Sequence, residues 1–187
     1  NLHAGWNFLV FKVTQGSGEW GLTARLVDDA GKAINGLEVS TKGPAADRKW
    51  EQISRKGWVV TASQVGEAVN NAIDNDIATR WSSGDPQKPG QWFLLDMGHS
   101  EPVSRLVLDS MPSPGDWPRG LILVSSEDGK NWTQICNCPN LASAPENGVV
   151  TLTFPVVQAR YLKMSQTGTT GVEVGLWWSI HELYVYK

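Results

Sequence analysis

Cysteine, charge and long apolar runs are all scarce in this chain of 187 residues. With only 2 cysteines, no framework of disulfides can hold the fold. Cys136 and Cys138 are separated by one residue. On a strand their Cα atoms would stand about 6.6 Å apart, at the edge of disulfide geometry. The pair also reads as one buried thiol and one exposed thiol, and two thiols are too few ligands for a zinc site. Charged residues are 19% of the chain, with net charge −3 and no basic run. A nucleic-acid binder needs clustered lysine and arginine against phosphate, so that class is excluded. No apolar run approaches the ~18 residues that span a bilayer. No charged-then-apolar leader opens at Asn1, so the sequence reads as a mature form or an excised domain.

Catalytic signatures are also missing. The 3 histidines, His3, His99 and His181, lie in unrelated segments, and there is no nucleophile elbow, phosphate loop or metalloprotease helix. Asp85 with Asp116 could form a glycosidase dyad in principle, but nothing in the sequence marks either for a raised pKa. The expectation is a protein that is not an enzyme.

What the chain has in plenty is tryptophan: 10, against 3 tyrosines and 4 phenylalanines. Its hydrophobic pattern has mostly a period of two, which is the signal of strands. Strands are expected over 6–13, 22–27 and 37–40, with Gly31 as the left-handed position of a turn at 28–32. Further strands are expected over 58–63, 91–96, 103–108, 120–126, 132–136, 149–154, 160–165 and 180–186. Asp128-Gly129 centres a hairpin. Only residues 66–72 could make a helical turn or two. Short strands divided by Gly, Pro, Asn and Asp turns predict an all-β, antiparallel β-sandwich with extra N-terminal strands. Three strands cannot bury a core alone. Residues 1–42 therefore either add to the sandwich or end a preceding β-sandwich module. Residues 43–55 read as a linker and 56–187 as the main domain.

From about Lys56 the chain resembles the discoidin domain, also called the coagulation-factor type C domain, of the galactose-binding-like superfamily that includes bacterial carbohydrate-binding modules. Five segments carry the resemblance in order: NNAIDNDIATRWSSG from Asn70, QWFLLDMG from Gln91, WPRGLILVSSEDGKNW from Trp117, ARYLKMSQTG from Ala159 and WWSIHELYVY from Trp177. It implies a jelly roll that binds a ligand through loops at one end, usually without catalysis. The segment from Gly5 to Leu37 is similar to the closing strands of another β-sandwich module of large secreted bacterial enzymes.

The resemblance implies a structural calcium. Its ligands would be the carbonyl of Asn71, the carboxylate of Asp74, the carbonyl of Asp76, both oxygens of Thr79, the carbonyl of His181 and the carboxylate of Glu182. The residues themselves agree, because close-spaced oxygen ligands on an irregular loop suit a hard cation. A carboxylate at Glu182, in a strand otherwise reading Ile180, Leu183, Val185, is costly unless paired. The other reading is that Asp74 and Asp76 cap a turn while Glu182 pairs with Arg80.

A sugar site needs an aromatic face for the C–H side of the ring and polar groups for its hydroxyls. Loops 82–90, 110–119 and 168–178 are expected to meet at one end. Trp117 and Trp177 are the aromatic candidates, and Asp85, Gln87, Asp116 and Arg119 the polar ones. Alternatively, Arg119 pairs with Asp116 or Asp109, and Asp85 caps a turn before Pro86. Trp81, Trp92, Trp132 and Trp178 are expected in the core. Met111 and Leu176 are the comparable residues to the apolar spikes of membrane-binding relatives. The sequence departs from the tryptophan-histidine-threonine-x-tryptophan run of galactose-binding relatives, reading WSSGD at Trp81, which argues against galactose.

The expected function is thus a non-catalytic carbohydrate-binding module, secreted or at the cell surface, binding poly- or oligosaccharide and linked to a catalytic domain in the same parent chain. Nucleic acid and membrane are not expected partners. The alternative is a structural spacer or an adhesion module without its own sugar ligand.

Overall fold

The computed structural model describes residues 26–27, 30–32, 49–138, 141, 148–168 and 176–187. The chain divides into two compact units, Asn1–Lys49 and Trp50–Lys187. In the first, Gly31 takes φ of 75°, the left-handed turn position expected of it. The strands expected over 6–13 and 37–40, and most of 22–27, lie outside the described residues.

The second unit is antiparallel throughout. Its strands are β1 (Val59–Ala62), β2 (Trp81–Ser82), β3 (Trp92–Asp109), β4 (Leu121–Ser126), β5 (Thr133–Cys138), β6 (Val149–Gln166), β7 (Ser179–Ile180) and β8 (Glu182–Tyr186). A 3-10 helix, Gly66–Ala72, is the helical turn anticipated there. It stays short because Gly and Asn are poor helix formers, while Val69 and Ala72 anchor it to the core. The sheet runs β1-β3-β6-β4-β5, with β8 also on β3, and β2 pairs β7 separately.

Two expected pairs of strands are each one continuous strand of 18 residues. β3 pairs its first part, Trp92–Asp96, with β6 residues 161–165, and its last part, Arg105–Asp109, with β6 residues 149–153. Register shifts fall between, at Asp96/Glu101 and Val103/Arg105. Gly98 and Pro102 read in the sequence as a break. In the fold, bulges absorb them while the ladder resumes beyond, so each strand continues past its irregular middle. The expected strand 180–186 is instead split at His181, between β7 and β8.

Residues 50–53 are built into this unit although the sequence reads them as linker. Gln52 bridges Tyr186, Ile53 N–H donates to Val185 O at 2.8 Å, and Ile53 is buried. A polar stretch can still serve as an edge when its backbone finds partners.

The core centres on Trp81, whose ring meets Phe93 and Trp178 edge-on, each at 5.1 Å between centroids. Such pairs contribute about 0.5–1.5 kcal/mol each beyond their burial. Trp81 and Trp178 are core, as expected, but Trp92 and Trp132 are not. Trp92 is half-buried under Lys163 at 5.0 Å. Trp132 is 37% exposed, edge-on to Tyr161 at 6.3 Å. A strand motif places a residue in the ladder, and parity then decides its face. Phe93 and Leu95 point in, so Trp92 points out. Cys136 and Cys138 are free, both half-buried, with sulfurs 3.9 Å apart. Burial, with Cys138 beside it, pushes the Cys136 thiol up to about 12.

Candidate functional site

The three loops do meet at one end of the sandwich, and a buried amide joins them. Gln87 is fully buried. Its Nε2 donates to Trp117 O at 3.2 Å and Trp177 O at 3.1 Å, and its Oε1 accepts from Arg119 N–H at 2.9 Å. Gln166 at the end of β6 also donates to that Oε1. Its own Oε1 accepts from Gly120 N–H at 3.1 Å, Thr167 N–H at 2.9 Å and Gly168 N–H at 3.0 Å. A Cβ on Gly168 would lie 2.6 Å from Arg119 C and Gly120 N, so this approach requires glycine. Residues 169–175 lie outside the described residues.

Burial divides the candidate ligand residues. Trp117 is 5% exposed and belongs to the core, and Gln87 is an internal tie. Neither presents a face to a ligand, which corrects the expectation for both. Arg119 is folded onto its own loop. Its guanidinium stacks 3.7 Å from the Trp117 ring centroid and donates to Trp117 O at 2.6 Å and Gly115 O at 2.8 Å. Burial lowers its pKa from the ordinary value, and Asp116 nearby opposes that. Asp116 pairs with Arg80 at 3.0 Å and accepts from Ser179 Oγ at 2.8 Å. Neither alternative partner of Arg119 is therefore the one used. Met111 and Leu176 are half-buried.

Two candidates face solvent at this end. Trp177 is 38% exposed, and Asp85 is exposed. They share a rim because 83–87 runs beside 176–178. Ser83 N–H donates to Trp178 O at 2.8 Å and Gln87 N–H to Leu176 O at 2.7 Å. Ser83 Oγ reaches Asp85 O at 2.6 Å. Strand parity alone could not distinguish Trp177 from its neighbour. The structure settles it, with Trp178 fully buried.

The residues proposed for calcium gather at a second place, between the 71–79 loop and β8. Asp74 accepts from Asp76 N–H at 2.9 Å and from Thr79 Oγ1 at 2.7 Å. Asp76 O accepts from Thr79 N–H at 3.0 Å, and Asp76 Oδ1 from Ala78 N–H at 2.9 Å. Asn71 Nδ2 donates to Arg80 O at 3.1 Å. His181 ties loop to strand. Its Nδ1 is 2.8 Å from Ile77 O and must carry the proton there, so Nε2, 3.1 Å from Ser113 Oγ, accepts when the ring is neutral. Glu182 is 2% exposed. Its partner is Arg55, not the Arg80 of the sequence reading, because Arg80 is engaged by Asp116. Glu182 Oε1 has no hydrogen-bond partner, and burial raises the carboxyl pKa against the pull of Arg55, with Asp74 adding to the rise.

These residues fit a hard cation. Carboxylate, carbonyl and hydroxyl oxygens predominate, and an orphaned buried carboxylate oxygen is the kind of group an ion satisfies. Among the described residues no three His, Cys, Asp or Glu side chains are grouped to hold a metal. An ion here would therefore rely on carbonyls and Thr79 as much as on the two carboxylates.

Sequence reasoning missed Gln166, Ser83 and Arg55. The first two follow from no motif, since their role is to satisfy backbone groups. Arg55 precedes the first recognisable strand and was read as linker.

Comparison with known proteins agrees with the fold. The solved structure of chitosan-binding module 1, from a chitosanase/glucanase of Paenibacillus sp. IK-5, is 27% identical, with a TM-score of 0.55, over 70% of this chain and 95% of that one. The family 32 CBM of Clostridium perfringens NanJ, solved with galactose, is 21% identical, with a TM-score of 0.61, over 74% and 100%. A truncated AlyQ with CBM32 and alginate lyase domains is 24% identical, with a TM-score of 0.59. The match covers 74% of this chain and spans only 34% of AlyQ. No match was found among curated proteins. The F5/8 type C domain profile matches residues 58–182, well over half of the sequence, and the chain belongs to that family.

Proposed function

We propose that this chain carries a non-catalytic carbohydrate-binding module of a secreted, multimodular bacterial enzyme. Glycan would bind on the loop end, where Trp177 stacks on the apolar face of a sugar ring and Asp85 reads a hydroxyl. The observation that carries this reading is the exposure of Trp177 on a rim fixed by the buried Gln87–Gln166 pair. A rigid backbone under an exposed aromatic ring reduces the ordering that binding requires. The resemblance to modules described with chitosan and galactose supports carbohydrate as the ligand class. A lone platform binds weakly, so function would depend on attachment to further modules that raise effective concentration. Among the described residues no helix is long and apolar enough to cross a membrane.

The decisive experiment is retention on a glycan array and on insoluble polysaccharides. Wild type is retained, and Trp177→Ala loses at least ten-fold in affinity while remaining folded. Burial of Trp117 and Gln87 leaves a narrower surface than the sequence implied. That favours the second reading, a spacer or adhesion module, which stands if no glycan retains the wild type. Release of product from oligosaccharide would overturn both.

Calcium is part of the proposal. It would join Asn71, Asp74, Asp76 and Thr79 to His181 and Glu182, as a structural ion tying the loop to β8. Calorimetric titration with calcium chloride tests it: wild type binds one ion, and Asp74→Asn or Glu182→Gln abolishes binding.

A further inference from the structure

Glu182 is the only buried carboxylate among the described residues, and the cation facing it comes from the chain itself. Arg55 Nη1 meets Glu182 Oε2 and also donates to Asn75 Oδ1 at 2.9 Å. Nη2 donates to Leu183 O at 2.8 Å, and the guanidinium lies 4.6 Å from the Tyr184 ring centroid. One side chain thus bridges the 74–79 loop and β8, the two segments that a calcium ion would bridge. The fit is incomplete: Glu182 Oε1 and Arg55 Nε lack hydrogen-bond partners.

We infer that Arg55 is a built-in counter-cation for Glu182, and that a divalent cation reaches this carboxylate only by displacing the guanidinium. The inference rests on the calcium reading of the site. A carboxylate out of water needs a positive partner, and Arg55 is that partner without metal. An arginine and a divalent ion on the same buried carboxylate repel each other strongly at such separations. Occupancy is therefore an exchange. The unit folds without calcium, and its calcium affinity is lowered by the cost of moving Arg55.

Calorimetric titration with calcium chloride and melting in chelator are run on the whole chain, as wild type, Arg55→Gln and Arg55→Gln/Glu182→Gln. Arg55→Gln is expected to bind calcium at least ten-fold more tightly than wild type. Its melting temperature should fall in chelator and recover with calcium over a wider range than that of wild type, which Arg55 supports without the ion. Equal affinity in the two proteins, or a wild type as dependent on calcium as the variant, overturns displacement. If neither binds calcium, the calcium reading fails, and displacement with it. The counter-cation role is then decided by the double variant: recovery of the melting temperature lost in Arg55→Gln supports it, and no recovery overturns it. The double variant also serves if Arg55→Gln alone does not fold.

Discussion

Two buried polar clusters hold this sandwich, and they are built on opposite principles. At the loop end, Gln87 and Gln166 are neutral, and every amide oxygen and nitrogen of the pair has a partner in the backbone or in the other side chain. Beside β8, Glu182 and Arg55 are charged, and one oxygen and one nitrogen stay without partners. A satisfied amide pair fixes geometry and leaves nothing for a ligand to add. An unsatisfied ion pair holds the chain together but leaves its carboxylate open to exchange of one cation for another. The contrast locates adaptability away from the surface proposed to meet sugar.

Removing one partner from each cluster measures the difference. Arg55→Met leaves a buried carboxylate alone and is expected to cost about 3–5 kcal/mol in metal-free buffer, read by urea unfolding. Gln87→Leu orphans neutral groups only, and is expected to cost at least about 1–3 kcal/mol, the penalty of one buried group left unpaired. Its loss should be insensitive to added salt or calcium. A calcium-dependent Gln87→Leu would erase the distinction. Trp177→Ala, on the exposed rim, is expected to cost less than about 1 kcal/mol of stability while abolishing glycan retention. A loss of several kcal/mol would mean that Trp177 is structural.

The smallest effect is expected at a third, half-exposed charge pair. Arg160 grips Asp96 through two bonds of 2.8 and 2.9 Å. That grip, reinforced by the Gly98 N–H, holds the Asp96 carboxyl below its usual 3.8 despite some burial. A depressed folded value means that the stabilisation is present above about pH 4 and lost as pH falls through the folded value. Exposure limits it to less than about 1 kcal/mol. Asp96→Asn should flatten that part of the acid limb, and an unchanged slope below pH 4 would show that the pair contributes nothing.

Much of this arrangement was readable in the residues. Period-two patterning and the Asp128-Gly129 hairpin gave the β class, and the order of the five segments gave the family. The meeting of the three loops followed from that resemblance. What the sequence could not supply was facing and satisfaction. Trp117 lies in a loop motif yet is buried, because Arg119 folds over its ring. Trp132 lies in an expected strand yet is exposed, because β5 begins only at Thr133 and leaves it outside the ladder. Gln87 looks like a sugar-binding amide, but its role depends on the carbonyls of Trp117 and Trp177, far from it in sequence. Arg55 lacked any local signal, since its partner is 127 residues away in the chain.

The bridge between Gln52 and Tyr186 has a mechanical consequence. The bonds Ile53–Val185 and Lys187–Glu51 flank it at 2.8 and 3.0 Å, so the two ends of this unit leave side by side, antiparallel. Tension applied through them would peel these bonds apart one at a time, instead of shearing them together. At the far end of β8, Glu182 pairs with Asp109, where the 110–119 loop begins. Under such a pull, the corner where residues 51–53 meet 185–187 would therefore yield first, while the loop end keeps its shape.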